Sequence, residues 1–297
     1  MKLGLHYWNF STPAEPTAIA DTLAEAARLA EQAGVSSFTV MDHFFQMEGA
    51  GSADEPMLEG YTALGYVAGK TERMTLGMLV TGVMYRHPGI LAKTVTTLDV
   101  LSGGRAWLGI GAGHYQEECE GLGVPWPSTA TRFELLEDAL GVCTRMWSGS
   151  QGEDGPYVGH HVRAERLLNL PQAVSRPRPG ILVAGTGERR TLPLVARYAD
   201  ACSLRPGPEI AHKLDVLRRA CDDAGTDFDR IERTCAYAFA PDDGGPASAA
   251  LIEQLQGLAA AGIQTVIGRV EGDDPRPGIE HLGRHIVPAV AEQEVRS

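Results

Sequence analysis

Ala106-Trp107-Leu108-Gly109-Ile110-Gly111-Ala112-Gly113-His114 runs from an apolar, strand-like segment into a glycine-rich tail that ends on a titratable side chain. Three other places follow the same plan. Asp42-His43-Phe44 follows Val35 to Met41, Thr81-Gly82-Val83 follows Met74 to Val80, and Ala184-Gly185-Thr186-Gly187 follows Ile181 to Ala184. Each is followed by a helix-like stretch. A (β/α)₈ barrel builds its site from the C-terminal ends of several different strands. One such stretch would be a turn; four in register predict a single site assembled from four strand ends.

Working outward, Leu3 to Phe10 predicts a first strand. Residues 17 to 33 predict a helix with Ile19, Leu23, Ala26, Ala27 and Ala30 on one face, closed by Gly34. Strand 35–41 and helix 61–70 follow, then strand 74–80 and a helix from Pro88 to Ser102-Gly103-Gly104, where proline and glycine mark the two ends. Strand 106–110 precedes a long helix over 132–147. Residues 148–180 are rich in Gly, Pro and His, and too long for an ordinary βα connection. They predict an insertion after the fourth βα unit, as a loop, a small hairpin or a lid. The alternation resumes with strand 181–184, helix 188–198, strand 200–204, helix 208–224, strand 233–239, helix 247–261, strand 263–267 and a last helix over 278–294. Eight β and eight α candidates predict an α/β single-domain (β/α)₈ TIM barrel over 1–297.

Composition narrows the function classes. A hydrophobic fraction of 43% and a charged fraction of 22% supply an ordinary core. The net charge of −12 argues against nucleic acid, which needs a basic footprint. No apolar run approaches membrane-spanning length, and the first residues lack a basic-then-apolar leader, so a cytoplasmic protein is expected. Five cysteines without C-x-x-C spacing indicate neither a disulfide scaffold nor a zinc cluster. No metal site is expected: His281 and His285 are four apart on a helix without a carboxylate beside them, and His160-His161 lies in the irregular segment.

Asp42-His43 offers an imidazole with a neighbouring carboxylate, a proton donor or acceptor for a reacting centre, or else a cap and a packed rim histidine. His114 is the second titratable candidate. Gly111, Ala112 and Gly113 let backbone approach a ligand closely, with Tyr115 beside them at the mouth. Ala184, Gly185, Thr186 and Gly187 run into a helix start, where free N–H groups favour a phosphate. The dinucleotide fingerprint fails because Arg190 stands where its last glycine belongs, and Gly69-Lys70-Thr71 fails as a P-loop because Leu64 replaces the first glycine.

Together these stretches resemble the luciferase-like monooxygenase superfamily, and within it the bacterial oxidoreductases that use the deazaflavin coenzyme F420. The most specific parts are Val40-Met41-Asp42-His43-Phe44-Phe45-Gln46, Leu76 to Val83 with Tyr85-Arg86-His87-Pro88, Ala92 to Arg105, Gly185 to Leu192, and Val195 to Cys202. The resemblance implies a hydride transfer between F420 and a small organic substrate, an activated C=C, C=N or C=O bond or an alcohol. It implies His43 beside the reactive ring with Asp42 next to it, and His43 or His114 handling the proton. It places a non-prolyl cis peptide between Leu79 and Val80 behind the ring, ahead of Thr81. Gly111 to Tyr115 would line the ring and ribityl chain, and Ala184 to Gly187 would hold the phosphate. Two positions depart from relatives: His114 stands where many carry Trp or Glu, and Met47 where some carry Trp. A homodimer is implied. The rival readings are a monooxygenase using reduced FMN and oxygen, and a non-catalytic cofactor-binding protein.

Overall fold

A computed structural model describes residues 1–12, 15–47 and 50–291. In chain order its elements are β1 (Lys2–Tyr7), α1 (Pro16–Gln32), β2 (Ser37–Val40), α2 (Gly60–Ala68), β3 (Thr75–Met78), β4 (Thr81–Gly82), α3 (Pro88–Leu101), β5 (Ala106–Gly111), α4 (Gln116–Gly121) and α5 (Thr129–Trp147). Then come β6 (Tyr157–Val158), β7 (Arg163–Ala164), β8 (Gly180–Ala184), α6 (Thr191–Tyr198), β9 (Ala201–Leu204), α7 (Ile210–Ala224), β10 (Glu232–Phe239), α8 (Pro246–Ala260), β11 (Thr265–Val270), α9 (Pro275–His281) and α10 (Val287–Ala291).

Parallel pairing runs β1, β2, β3, β5, β8, β9, β10, β11 and back to β1, which closes the sheet into a barrel. The register carries Leu5 opposite Phe38, Phe38 opposite Leu76, and Leu3 opposite Val266. Strands covered on both faces read as near-continuous apolar runs, which is why β2 is buried at all of its positions. Glycine makes room where a large neighbour enters: a Cβ on Gly77 would lie 2.4 Å from the Trp107 indole on the next strand. No helix of the described residues is long and apolar enough to cross a membrane. All five cysteines are buried and unpaired as thiols.

Three expectations of the sequence are adjusted. The strand read as 74–80 stops at Met78; the Leu79–Val80 peptide is cis, and the chain then rejoins the sheet as β4, which pairs with β5. The helix read as 278–294 is α9, a π-turn over Leu282–Ile286 and α10, with its last three residues outside the described residues. Pro288 follows that π-turn; lacking an N–H and crowding the preceding turn, a proline favours such a local widening. The third is the insertion. It contains the small antiparallel hairpin β6–β7, yet it lies along the outside of the barrel. The buried Asp138 carboxylate of α5 accepts from the His160, His161 and Val162 amides at 2.8, 2.7 and 3.0 Å. The buried Asp99 of α3 accepts from Val174 N and Ser175 N at 2.6 and 2.9 Å. Two buried carboxylates thus strap 148–180 to α3 and α5, and none of its residues lines the cleft described next. In this arrangement it acts as a strap across the two outer helices.

Candidate active site

A cleft of about 620 Å³ opens at the C-terminal ends of the strands. His6 reaches it from β1, Met41, His43 and Met47 from the segment after β2, and Leu79 to Gly82 from the β3–β4 junction. Gly111 to His114 come from the end of β5 and just beyond it, Ala184 to Thr186 likewise from β8, and Ser203 to Pro206 from β9. The four sequence stretches therefore meet in one place. Of the expected site residues, His43, Leu79, Val80, Thr81, Gly111, Ala112, Gly113, His114, Ala184, Gly185 and Thr186 line the cleft.

Three do not. Asp42 is turned away: its carboxylate accepts from Arg86 Nη1 at 2.6 Å, and Arg86 also reaches Glu59 and lies over the Tyr61 ring. Successive side chains of an extended chain point to opposite sides, so Met41 and His43 share the cleft and Asp42 cannot. Burial pushes the Asp42 carboxyl upward in pKa, against the pull of Arg86. Tyr115 backs His43, its ring edge-on at 5.6 Å with its hydroxyl donating to Gln46 O at 3.2 Å. Gly187 sits in the turn ahead of α6: its carbonyl accepts from Leu192 N at 3.0 Å, and a Cβ on it would lie 2.9 Å from Thr191 Oγ1.

The carboxylate that holds His43 is Glu118, on α4. It is wholly buried, lies 2.9 Å from His43 Nδ1, and accepts from Phe45 N at 2.8 Å, together with Phe44 N and the Tyr85 hydroxyl. Burial would raise its pKa, but these hydrogen bonds outweigh it and hold the carboxyl below its ordinary value. The Tyr85 phenol is pushed up by burial and by its bond to Glu118, so it stays a donor. His114 stands edge-on to His43 with ring centroids 5.4 Å apart, and its Nε2 lies 3.3 Å from Met47 Sδ. Burial and the neighbouring His43 lower the His114 pKa.

His6 adds a third imidazole. Thr39 Oγ1 donates its proton to Leu5 O at 3.1 Å, so His6 Nδ1, 2.9 Å from the same oxygen, is the donor there. Burial first, then the charges of Arg269 and His43, lower the His6 pKa to about 4, which keeps this ring neutral at pH 7. Across the cleft the chemistry changes. Gly185, at φ +127°, lies in backbone space that favours glycine, and its N–H donates to Ser203 O at 3.1 Å. Thr186, Thr191, Ser203 and Arg205 gather along this edge, beside the start of α6. One end of the cleft is thus lined by imidazole rings and sulfur, the other by hydroxyls and a guanidinium.

Sequence reasoning missed Glu118, His6, Thr191, Ser203 and Arg205. The signal for Glu118 was the acidic run Glu117-Glu118, four residues past His114, which suits the first turn of a helix. His6 sits at the end of a strand that was read only as core. The remaining histidines are elsewhere: His161 Nε2 pairs with Glu134 at 2.7 Å, and His285 Nε2 with Asp243 at 3.0 Å, so the 281/285 pair does have a carboxylate beside it. Among the described residues no three His, Cys, Asp or Glu side chains converge as metal ligands.

Residues 1–273 match the luciferase-like monooxygenase family, and the chain belongs to that family. It is 33% identical over 205 residues to the F420-dependent glucose-6-phosphate dehydrogenase of Beutenbergia cavernae, covering 68% of this chain and 57% of that one. It is 37% identical over 178 residues to the phthiodiolone/phenolphthiodiolone dimycocerosates ketoreductase of Mycobacterium tuberculosis, covering 57% of this chain and 44% of that one. The matched stretch thus spans about half the length of these curated relatives. An F420-dependent secondary alcohol dehydrogenase, solved with an F420–acetone adduct, superposes with TM-score 0.79 at 18% identity, covering 98% of this chain and 99% of that one. That likeness speaks for the fold.

Proposed function

We propose that this chain is an oxidoreductase that binds coenzyme F420 in the cleft and transfers a hydride between it and a small organic substrate. The observation that carries the reading is the two-ended cleft. A ring-lined end with His43 buttressed by Glu118 runs into an end of Gly185, Thr186, Thr191 and Arg205, suited to a phosphate. The F420-dependent relatives support the choice of cofactor.

Leu79, Val80 and Thr81 with Gly111 and Ala112 would support a flat ring, and Ala184, Gly185, Thr186, Thr191 and Arg205 would hold the phosphate. When bound, F420 supplies a carbon that gives or accepts a hydride, two electrons at a time. The chain's own part is positioning and proton handling. An alcohol carbon that gives up a hydride must also give up its O–H proton. His43 Nε2 takes that proton, with the Glu118 carboxylate holding the ring through Nδ1. In the reverse direction the same nitrogen returns a proton to the carbonyl oxygen. His114, neutral and lying against Met47, shapes the substrate wall. Met41, Met47, Phe133 and Leu204 provide apolar sides. A homodimer belongs to the same proposal, supported by the exposed Ile90 and Leu101 side chains of α3.

Fluorescence titration with F420 and, separately, with FMN tests the cofactor. Binding of F420 in preference to FMN is expected, followed by turnover of the reduced cofactor in a carbonyl and alcohol screen. Preference for FMN with oxygen uptake would replace this reading by the monooxygenase. F420 binding with no turnover across the screen would favour a carrier.

A further inference from the structure

We infer that Glu118 decides which ring nitrogen of His43 carries the proton, so that the cleft meets His43 Nε2 as a bare lone pair. Glu118 is a wholly buried carboxylate, and every donor that converges on it comes from the segments that build the reacting end. His43 Nδ1 lies 2.9 Å from one oxygen and Phe45 N 2.8 Å from the other, with Phe44 N and the Tyr85 hydroxyl completing the set. An ionised carboxylate has no proton to give, so His43 Nδ1 must be the donor. In a neutral imidazole only one nitrogen carries hydrogen, and fixing it at Nδ1 leaves Nε2 without one. The same carboxylate also ties down the backbone of the two residues after His43. Ring orientation, tautomer and loop position therefore depend on one side chain, 75 residues from His43 in sequence.

A purely structural Glu118 would tie the loops together whatever the tautomer. Glu118→Gln separates the two roles. The amide keeps a carbonyl oxygen for the Phe44 and Phe45 N–H groups, but places an NH₂, a donor only, against Nδ1. That turns Nδ1 into an acceptor and moves the proton to Nε2. The readout is the ¹⁵N chemical shift pair of the neutral His43 ring in protein labelled at histidine, assigned by the signals lost in His43→Asn, with no cofactor or substrate present. The expected result is Nδ1–H in the wild type, Nε2–H in Glu118→Gln, and Nδ1–H again in Glu118→Asp. A wild-type ring with Nε2–H, or a Glu118→Gln ring unchanged from wild type, would overturn the inference. Should Glu118→Gln fail to fold, the wild-type and Glu118→Asp spectra decide: Nδ1–H in both supports control by the carboxylate, and Nε2–H in either sinks it.

The catalytic consequence rests on the function proposed above. A donor in place of the acceptor at Nε2 is expected to lower kcat by about 100-fold or more while KM changes little, the size typical of a lost general base. A reversed tautomer with unchanged kcat upholds Glu118's control of the ring and counts only against His43 as the proton carrier.

Discussion

Asp42 and His43 are neighbours in the chain with opposite duties. His43 faces the cleft; Asp42 is buried behind it in a bond to Arg86 at 2.6 Å. Their substitutions should therefore fail in different ways. On the proposed function, His43→Ala is expected to lower turnover far more than F420 affinity, because the ring would handle a proton while Leu79 to Thr81, Gly111 and Ala112 would hold the cofactor. Equal losses in both quantities, read from steady-state rates and the fluorescence titration, would remove His43 from the proton step. Arg86→Met strands the Asp42 carboxylate in the interior and is expected to cost about 3–5 kcal/mol of stability by denaturant unfolding. A loss under 1 kcal/mol would show that Asp42 does without its partner.

At the scale of elements, the barrel is held by strands whose inward residues are fitted to one another. Gly77 on β3 lies opposite Trp107 on β5, and an added methyl would lie 2.4 Å from the indole. The clash falls on the fused atoms of the indole, so the whole ring must shift, and Gly77→Ala is expected to cost about 1–3 kcal/mol by overpacking. In a Trp107→Leu background most of that penalty should vanish, a coupling that a double-mutant cycle measures directly. Additive losses would mean that the two positions do not meet. The same scale explains the insertion. Gly, Pro and His in 148–180 marked a break in the βα rhythm, but where the segment lies is set by Asp99 on α3 and Asp138 on the preceding α5.

For the whole molecule, acid is expected to loosen the fold through groups near the cleft. His6 has a folded pKa of about 4 against an ordinary 6.5, so between those values the unfolded chain binds more protons and stability falls as pH falls. Glu118, held below its ordinary value, acts the same way further down: its contribution is complete above the ordinary carboxyl range and is lost as pH drops through the folded value. Asp42, pushed up by burial, works in the opposite sense. The clean observable is therefore a difference. Urea midpoints of His6→Asn should fall less steeply than wild type between pH 6.5 and 4. Parallel curves would show that His6 is not buried in its neutral form.

Much of this architecture was legible in one dimension. The eight-fold alternation, the glycine-rich strand ends, Pro88 at the start of α3 and about half of the cleft lining depend on local periodicity and local backbone freedom, which neighbouring residues settle among themselves. The amino-acid sequence by itself determined a barrel and the face on which its site is built. Only the tertiary structure decided the partnerships: Glu118 and not Asp42 beside His43, His6 and Arg205 in the cleft, the insertion strapped to the outside. The reason is geometric. Alternation turns sequence neighbours away from one another, while closing a parallel barrel brings together strand ends and short helices that lie tens of residues apart.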